Sequence, residues 1–70
     1  MPLDPKQIGL RVRTERRRLA MSQATLASLI NSTQGHVSDW ERGNHMMSLE
    51  TAAAVAETLA VSLDHLVLGK

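Results

Sequence analysis

The side chains best suited to metal binding or acid–base chemistry are three histidines, His36, His45 and His65. They lie nine and twenty residues apart, and the chain contains no cysteine. Zinc sites use cysteine or closely spaced histidine ligands, so this pattern argues against a metal centre. The four glycines are scattered and form no phosphate-binding loop or nucleophile turn. We therefore expect neither an enzyme nor a cofactor.

A different set of hydrogen-bonding side chains is concentrated between Gln34 and Glu41. The apolar residues of that segment are only Val37 and Trp40. A helix with so few apolar residues packs along a narrow strip and leaves a broad polar face outward. This face carries an amide, an imidazole, a hydroxyl and a carboxylate, and it is the candidate binding surface.

Positive charge is concentrated at the start of the chain. Residues 1–18 hold six basic and two acidic residues, a local charge of +4, whereas residues 19–70 hold two basic and five acidic residues, a charge of −3. Such an asymmetry favours a polyanionic partner on one side of the molecule, but a solvated helix face explains a charge run equally well. Charge alone leaves both interpretations open.

Helix caps predict the elements that position these residues. Residues able to cap a helix start recur at Asp4, Ser22, Thr33, Ser48 and Ser62. They predict an all-α, five-helix fold in one domain (1–70), with helices over 5–20, 23–30, 34–42, 49–59 and 63–68. Asn31 and Gly43 follow two of these helices, where a left-handed residue ends a helix. We expect Ile8, Val12 and Leu19 to form the buried stripe of the first helix.

The second and third helices have the spacing of a helix-turn-helix unit over about 23–42. Ala27 stands where the two helices would touch, Asn31 makes the turn four residues later, and Val37 packs back six residues after that. In such a unit the second helix lies in the major groove of DNA.

Several motifs, in this order, resemble the lambda-repressor-like (Cro/C1-type, XRE-type) helix-turn-helix DNA-binding family over about residues 8–68. They are Met21-Ser22-Gln23, Leu26-Ala27, Val37 to Gly43, Ser48 to Thr51 and Val61 to Asp64. The resemblance implies a compact five-helix domain that binds double-stranded DNA as a homodimer on a near-palindromic operator. It also implies a role as a transcriptional regulator, most simply a repressor. Asn31 replaces the usual turn glycine, and Met47 stands where proline is common.

The recognition helix implied by the resemblance is Gln34 to Glu41. The Gln34 amide can pair with adenine N6 and N7. Gly35 lets a bare backbone approach DNA, or it serves only as a small packing residue. Asp39 can accept a hydrogen bond from cytosine N4, or it pairs within the helix with a residue such as His36. His36 and Ser38 can offer hydrogen bonds to bases or phosphates, or they are only surface residues. The expected base-reading residues are Gln34, Gly35, His36, Ser38 and Asp39.

Contacts to DNA phosphates are expected around the recognition helix, and these contacts set position rather than sequence preference. In the family a glutamine that corresponds to Gln23 touches phosphate and steadies the glutamine that corresponds to Gln34. Asn44 and His45 replace the usual lysine or arginine, so the expected binding to DNA phosphates is weaker there. The candidate phosphate contacts are Ser22, Gln23, Thr33, Arg42, Asn44 and His45.

Other residues have expected structural roles. The family pairs an arginine of the first helix with a glutamate near the end of the third, which here are Arg16 and Glu41. Trp40 is expected in the core. The last helix carries more apolar surface than it can hide, so a two-fold dimer contact is expected at Leu63, His65, Leu66 and Leu68. The alternative for Leu63 and Leu66 is that one of them only closes the core over the fourth helix. Met46 and Met47 form a weaker candidate patch.

The alternative interpretation is an antitoxin or adaptor of the same fold whose main partner is another protein. Asp39 and the few basic residues near the recognition helix favour that alternative. The absence of cysteine, together with an opening segment from Met1 to Pro5 without a basic or apolar leader, predicts a cytoplasmic protein with no membrane partner.

Overall fold

The computed structural model describes residues 3–70, which form five helices and no strand. The helices are α1 (Pro5–Arg18), α2 (Gln23–Leu29), α3 (Gln34–Arg42), α4 (Leu49–Thr58) and α5 (Leu63–Leu68). The all-α prediction is confirmed, and its helix bounds differ from these by at most two residues. The expected absence of a leader falls partly on Met1 and Pro2, which lie outside the described residues.

Every helix begins at the cap predicted for it. At the start of α3, the Thr33 hydroxyl accepts a hydrogen bond from the amide of His36 at 3.1 Å. Each cap satisfies one of the amides that a first helical turn leaves without an intrahelical partner. The five caps are Asp4, Ser22, Thr33, Ser48 and Ser62.

Left-handed residues end the helices. Asn31 and Gly43 have φ values of 57° and 77°, as their residue types predict. Ala20 and Ala60 also adopt positive φ, at 54° and 59°. Alanine is disfavoured there by about 1–2 kcal/mol, so the packing of the helices on either side holds these two turns in place.

The core runs through all five helices, and the most extensive packing joins α1 to α3. Leu19, expected in this core, is 39% exposed because α1 ends one residue earlier. Arg16 is buried on α1 instead. The buried apolar residues are Ile8, Val12, Leu26, Ala27, Val37, Met47, Ala52, Val55, Ala56, Leu59 and Leu66.

Two expectations about surface patches are wrong. Leu66 is fully buried where α5 packs on α4 and α1, so it cannot contact a partner. Met47 belongs to the core, because the segment between α3 and α4 brings it onto the other buried side chains, while Met46 stays exposed. Leu63 is half-buried against the core and Leu68 is exposed. In residues 3–70, none of the helices is long and apolar enough to cross a bilayer.

Candidate nucleic-acid interface

A buried ion pair ties α3 to α1. Arg16 Nε donates to Glu41 Oε2 at 2.6 Å, and Arg16 Nη2 donates to Glu41 Oε1 at 2.9 Å. The two side chains are only 9% and 4% exposed. Two parallel bonds are the strong form of an arginine–carboxylate pair. Hydrogen bonding to Glu41 raises the pKa of Arg16 above its ordinary value, so Arg16 stays charged.

The same pair is joined to the start of α2. Arg16 Nη1 donates to the Met21 carbonyl at 2.8 Å, and Gln23 Nε2 donates to Glu41 Oε1 at 3.1 Å. We call Arg16, Met21, Gln23 and Glu41 the buried network. Within residues 3–70, every fully buried side-chain nitrogen or oxygen has a hydrogen-bond partner. The buried network therefore fixes α1, α2 and α3 relative to one another without leaving a charge unpaired.

Gln23 differs from the role that the resemblance implied. Its amide is bonded to Glu41 rather than to Gln34. Gln34, one residue beyond the cap of α3, is exposed and makes no side-chain hydrogen bond within the described part of the chain. Gln34 thus keeps both its donor and its acceptor available for another molecule.

A close crossing of α1 and α3, not foreseen from the sequence, sets the distance at which α3 packs on α1. Gly9 is buried, and a Cβ added to it would overlap the Trp40 carbonyl oxygen and lie 2.8 Å from that of Glu41. Only a residue without a side chain permits this approach. The sequence signal was a glycine inside an otherwise regular helix, a position that usually has a packing reason.

The polar face of α3 is open, as expected. Val37 is fully buried, and Trp40 is half-buried against the core. Gln34, Gly35 and His36 are exposed, and Ser38 and Asp39 are half-buried. The five expected base-reading residues therefore all lie on α3 with accessible surface.

Contacts around His36 and Gly35 bear on two of the alternatives raised for this helix. His36 Nδ1 lies 3.1 Å from Ser32 Oγ, and the ring stacks on Trp40 with centroids 6.1 Å apart. No hydrogen bond joins His36 to Asp39 in the described residues, so the alternative of an intrahelical pair between them is not observed. A Cβ on Gly35 would have only Thr33 Oγ1 nearby, at 3.9 Å. Packing does not require a glycine there.

The candidate phosphate contacts lie around the ends of α3 and the start of α2. Ser22 and Thr33 use their hydroxyls as helix caps. Gln23 belongs to the buried network. The remaining three lie at the C-terminal end of α3 or just beyond it and are exposed: Arg42, Asn44 and His45.

The arginines of α1 do not form one uniform solvated face. Arg11 donates to the Leu66 carbonyl at 3.2 Å at the end of α5. Arg18 donates to Glu15 at 2.7 Å and to the Leu59 carbonyl at 3.3 Å. With Arg16 in the buried network, the arginines of α1 that remain exposed without such a bond in residues 3–70 are Arg13 and Arg17.

Solved structures of three regulators share this fold. The P22 c2 repressor, solved in complex with a synthetic operator, is 30% identical with a TM-score of 0.86, covering 90% of this chain and 96% of that chain. The restriction-modification controller protein C.AhdI from Aeromonas hydrophila is 32% identical with a TM-score of 0.85, covering 90% and 91%. The clp gene regulator ClgR from Corynebacterium glutamicum is 28% identical with a TM-score of 0.87, covering 93% and 69%.

A different kind of protein shares the fold over only part of its length. HppE, solved with Co(II) and substrate, is 26% identical with a TM-score of 0.83, but the match covers 36% of that chain. Comparison with curated proteins gives no match. A helix-turn-helix family model matches residues 12–66, most of the chain. The chain therefore belongs to the lambda-repressor-like, XRE-type helix-turn-helix family.

Proposed function

We propose that this chain is a sequence-specific DNA-binding transcriptional regulator whose α3 lies in the major groove. The observation that carries the proposal is the combination of an open polar face on α3 with a rigid attachment beneath it. Val37 is buried on one side of the helix, and Glu41 is held by Arg16 at its end. The family and the P22 c2, C.AhdI and ClgR structures support DNA binding and transcriptional regulation.

Base reading is assigned to the exposed face of α3. Gln34 can donate to adenine N7 and accept from adenine N6, a bidentate pairing that contributes about 1–3 kcal/mol of discrimination. Gly35 presents bare backbone where a side chain would otherwise meet the DNA. The Asp39 carboxylate has no hydrogen-bond partner in the described part of the chain. We therefore assign it to cytosine, whose N4 amino group can donate a hydrogen bond to a carboxylate. His36 is oriented by Ser32 and Trp40, and the half-buried Ser38 lies on the same helix; each can bond a base or a phosphate.

Positioning on the DNA backbone is assigned to residues beside this face. Arg42, Asn44 and His45 are exposed at its C-terminal end. Ser22, Gln23 and Thr33 lie at the starts of α2 and α3, and because their side chains already make internal bonds, they are held in fixed orientations. Contacts of this kind fix the register of α3 in the groove and carry no sequence information directly.

We further propose that the chain acts as a homodimer on a near-palindromic operator, most simply as a repressor. The outer side of α5 offers exposed surface for the two-fold contact, since Leu68 is 38% exposed and the His65 side chain 39% exposed. Leu63 contributes its accessible part. Two α3 helices related by a dimer axis would read half-sites about one helical turn of DNA apart.

Selection of bound duplexes from a random pool at near-physiological salt tests this proposal, because such salt screens much of the non-specific phosphate attraction. A palindrome with half-sites about one helical turn apart is the expected result. A folded protein that enriches no sequence would contradict the proposal. Recovery of a stable protein complex from cell extract in that case would favour the antitoxin or adaptor alternative.

A further inference from the structure

The His36 ring is held by a residue four positions before it and a residue four positions after it. Nδ1 lies 3.1 Å from Ser32 Oγ, and the ring stacks on Trp40 with centroids 6.1 Å apart and planes 23° apart. Ser32 and Trp40 are half-buried, whereas His36 is exposed. We call Ser32, His36 and Trp40 the imidazole clamp. Within residues 3–70 the other ring nitrogen, Nε2, has no hydrogen-bond partner, so the imidazole clamp leaves it available to another molecule.

The proton carried by the ring decides what Nε2 can bind. In the neutral ring, Ser32 either donates to Nδ1, which places the proton on Nε2, or accepts from Nδ1–H, which leaves Nε2 as an acceptor. In the charged ring both nitrogens donate, and the Ser32 hydroxyl accepts. Nε2 is therefore a donor or an acceptor in the neutral ring, and only a donor in the charged ring.

The protein places no charged partner on this ring. In residues 3–70, no carboxylate oxygen lies within 4 Å of a His36 nitrogen. α1 and α2 are the helices that pack extensively on α3, and neither α2 nor the turn after it carries a charged residue. The α1 arginines beside α3 line a cleft to which His36 does not contribute. The charged residues concerned are Arg13, Arg16 and Arg17 on α1 and Asp39, Glu41 and Arg42 on α3.

We propose that the imidazole clamp makes His36 a proton-dependent base reader, whose Nε2 donates to guanine at one position of each half-site. This inference rests on the proposed function and adds to it a base, a proton and a positioning residue, Ser32. Guanine presents two acceptors, O6 and N7, and no donor in the major groove, whereas adenine and cytosine present an amino donor and thymine a single acceptor. The charged ring therefore matches guanine best, and the neutral ring can also accept from adenine or cytosine.

The base preference at this position should consequently change with pH. Histidine is the side chain that ordinarily changes charge between about pH 5 and 8. The charged ring donates to guanine and is attracted by the DNA phosphates, so binding to a guanine site favours proton uptake and becomes tighter as the pH falls. Uptake of one proton changes a binding constant by up to about tenfold per pH unit. A site without guanine at this position should gain less.

Duplex selection at about pH 6 and about pH 8, at one salt concentration, tests the inference across the range in which histidine titrates. Wild type should enrich guanine at one position more strongly at the lower pH. His36→Gln keeps a donor and an acceptor at both pH values, so its preferences should not change with pH. The other positions of the half-site are the internal control.

A second pair of variants tests the positioning role of Ser32. Ser32→Ala should weaken the guanine preference at this position, because the ring loses the bond that orients it. Ser32→Thr, which restores a hydroxyl, should recover the preference. Ser28→Ala, an exposed serine change on α2, is the matched control and should behave as wild type. Melting curves show that each variant is folded, and a folded Ser32→Ala variant with the full preference would overturn the role of Ser32.

The outcomes separate this inference from the proposed function. A guanine preference that strengthens at the lower pH in wild type and Ser28→Ala, but not in His36→Gln, supports it. The same half-site with equal preferences at both pH values overturns it and leaves the proposed function standing. A rise in affinity at low pH that is equal for all sequences also overturns it, because phosphate contacts behave in that way. A folded wild-type protein that enriches no sequence at either pH overturns both.

Discussion

Removal of the Glu41 carboxylate tests how strongly the buried network holds α3. Glu41→Ala leaves the Arg16 guanidinium, in a side chain only 9% exposed, without its two carboxylate bonds. Gln23 loses its acceptor as well. Breaking a buried pair from one side costs about 3–5 kcal/mol. A domain of this length has only roughly 4–10 kcal/mol of unfolding free energy, so we expect Glu41→Ala to lose a third or more of it.

The assay is urea unfolding followed by far-ultraviolet circular dichroism, with the fluorescence of Trp40 as a second probe. For a domain of this size each kcal/mol corresponds to about 4–8 °C in melting temperature, so the variant should also melt more than about 10 °C below wild type. Glu57→Ala, an exposed change on α4, is the matched control and should stay within about 0.5 kcal/mol of wild type.

A second variant tests whether Glu41→Ala destabilises the fold through the unpaired charge of Arg16 or through lost packing. Arg16→Met combined with Glu41→Leu replaces the ion pair with apolar groups of similar size, which is often neutral in other buried pairs. We expect it to recover most of the stability that Glu41→Ala loses. A destabilisation below about 1 kcal/mol in Glu41→Ala would refute the role assigned to the buried network.

Three other changes test the surroundings of α3. Gly9→Ala should destabilise the fold by about 1–3 kcal/mol or more, since its Cβ would overlap the Trp40 carbonyl oxygen; an unchanged melting temperature would contradict the close crossing. Gly35→Ala should stabilise α3 by up to about 1 kcal/mol yet weaken DNA binding, and binding at wild-type strength would mean that no bare backbone is needed. Hydrogen bonds from Arg18 and then His65 lower the pKa of Glu15 below its ordinary 4.5. Its stabilising effect is therefore present above that pH and lost as the pH falls through the lower folded-state value. Glu15→Gln should flatten the acid side of the stability curve, and an equally steep acid side would exclude Glu15 as its source.

The helices could be predicted because their signals are local. A cap side chain bonds an amide two or three residues away, so Ser22, Thr33 and Ser48 mark helix starts without any knowledge of the fold. Asn31 and Gly43 mark ends in the same way. The open face of α3 was also predictable, because Val37 and Trp40 alone could face the core.

Burial within the short elements could not be predicted, because it depends on how each element is rotated against its neighbours. α5 has only six residues, and its sequence does not show whether Leu66 or Leu68 points inward. Met47 lies in an irregular segment where no periodicity applies. The crossing at Gly9 joins α1 to α3, so it is not visible in one stretch of sequence.

Duplex selection repeated with Gln34→Ala tests the central claim, that α3 reads bases, most directly. Gln34 is exposed and lies outside the buried network, so the variant should fold with nearly wild-type stability. We expect the wild type to enrich a defined half-site and Gln34→Ala to lose its preference at one position, an adenine, while keeping the others. Identical preferences from both proteins, at that position and every other, would contradict base reading by Gln34.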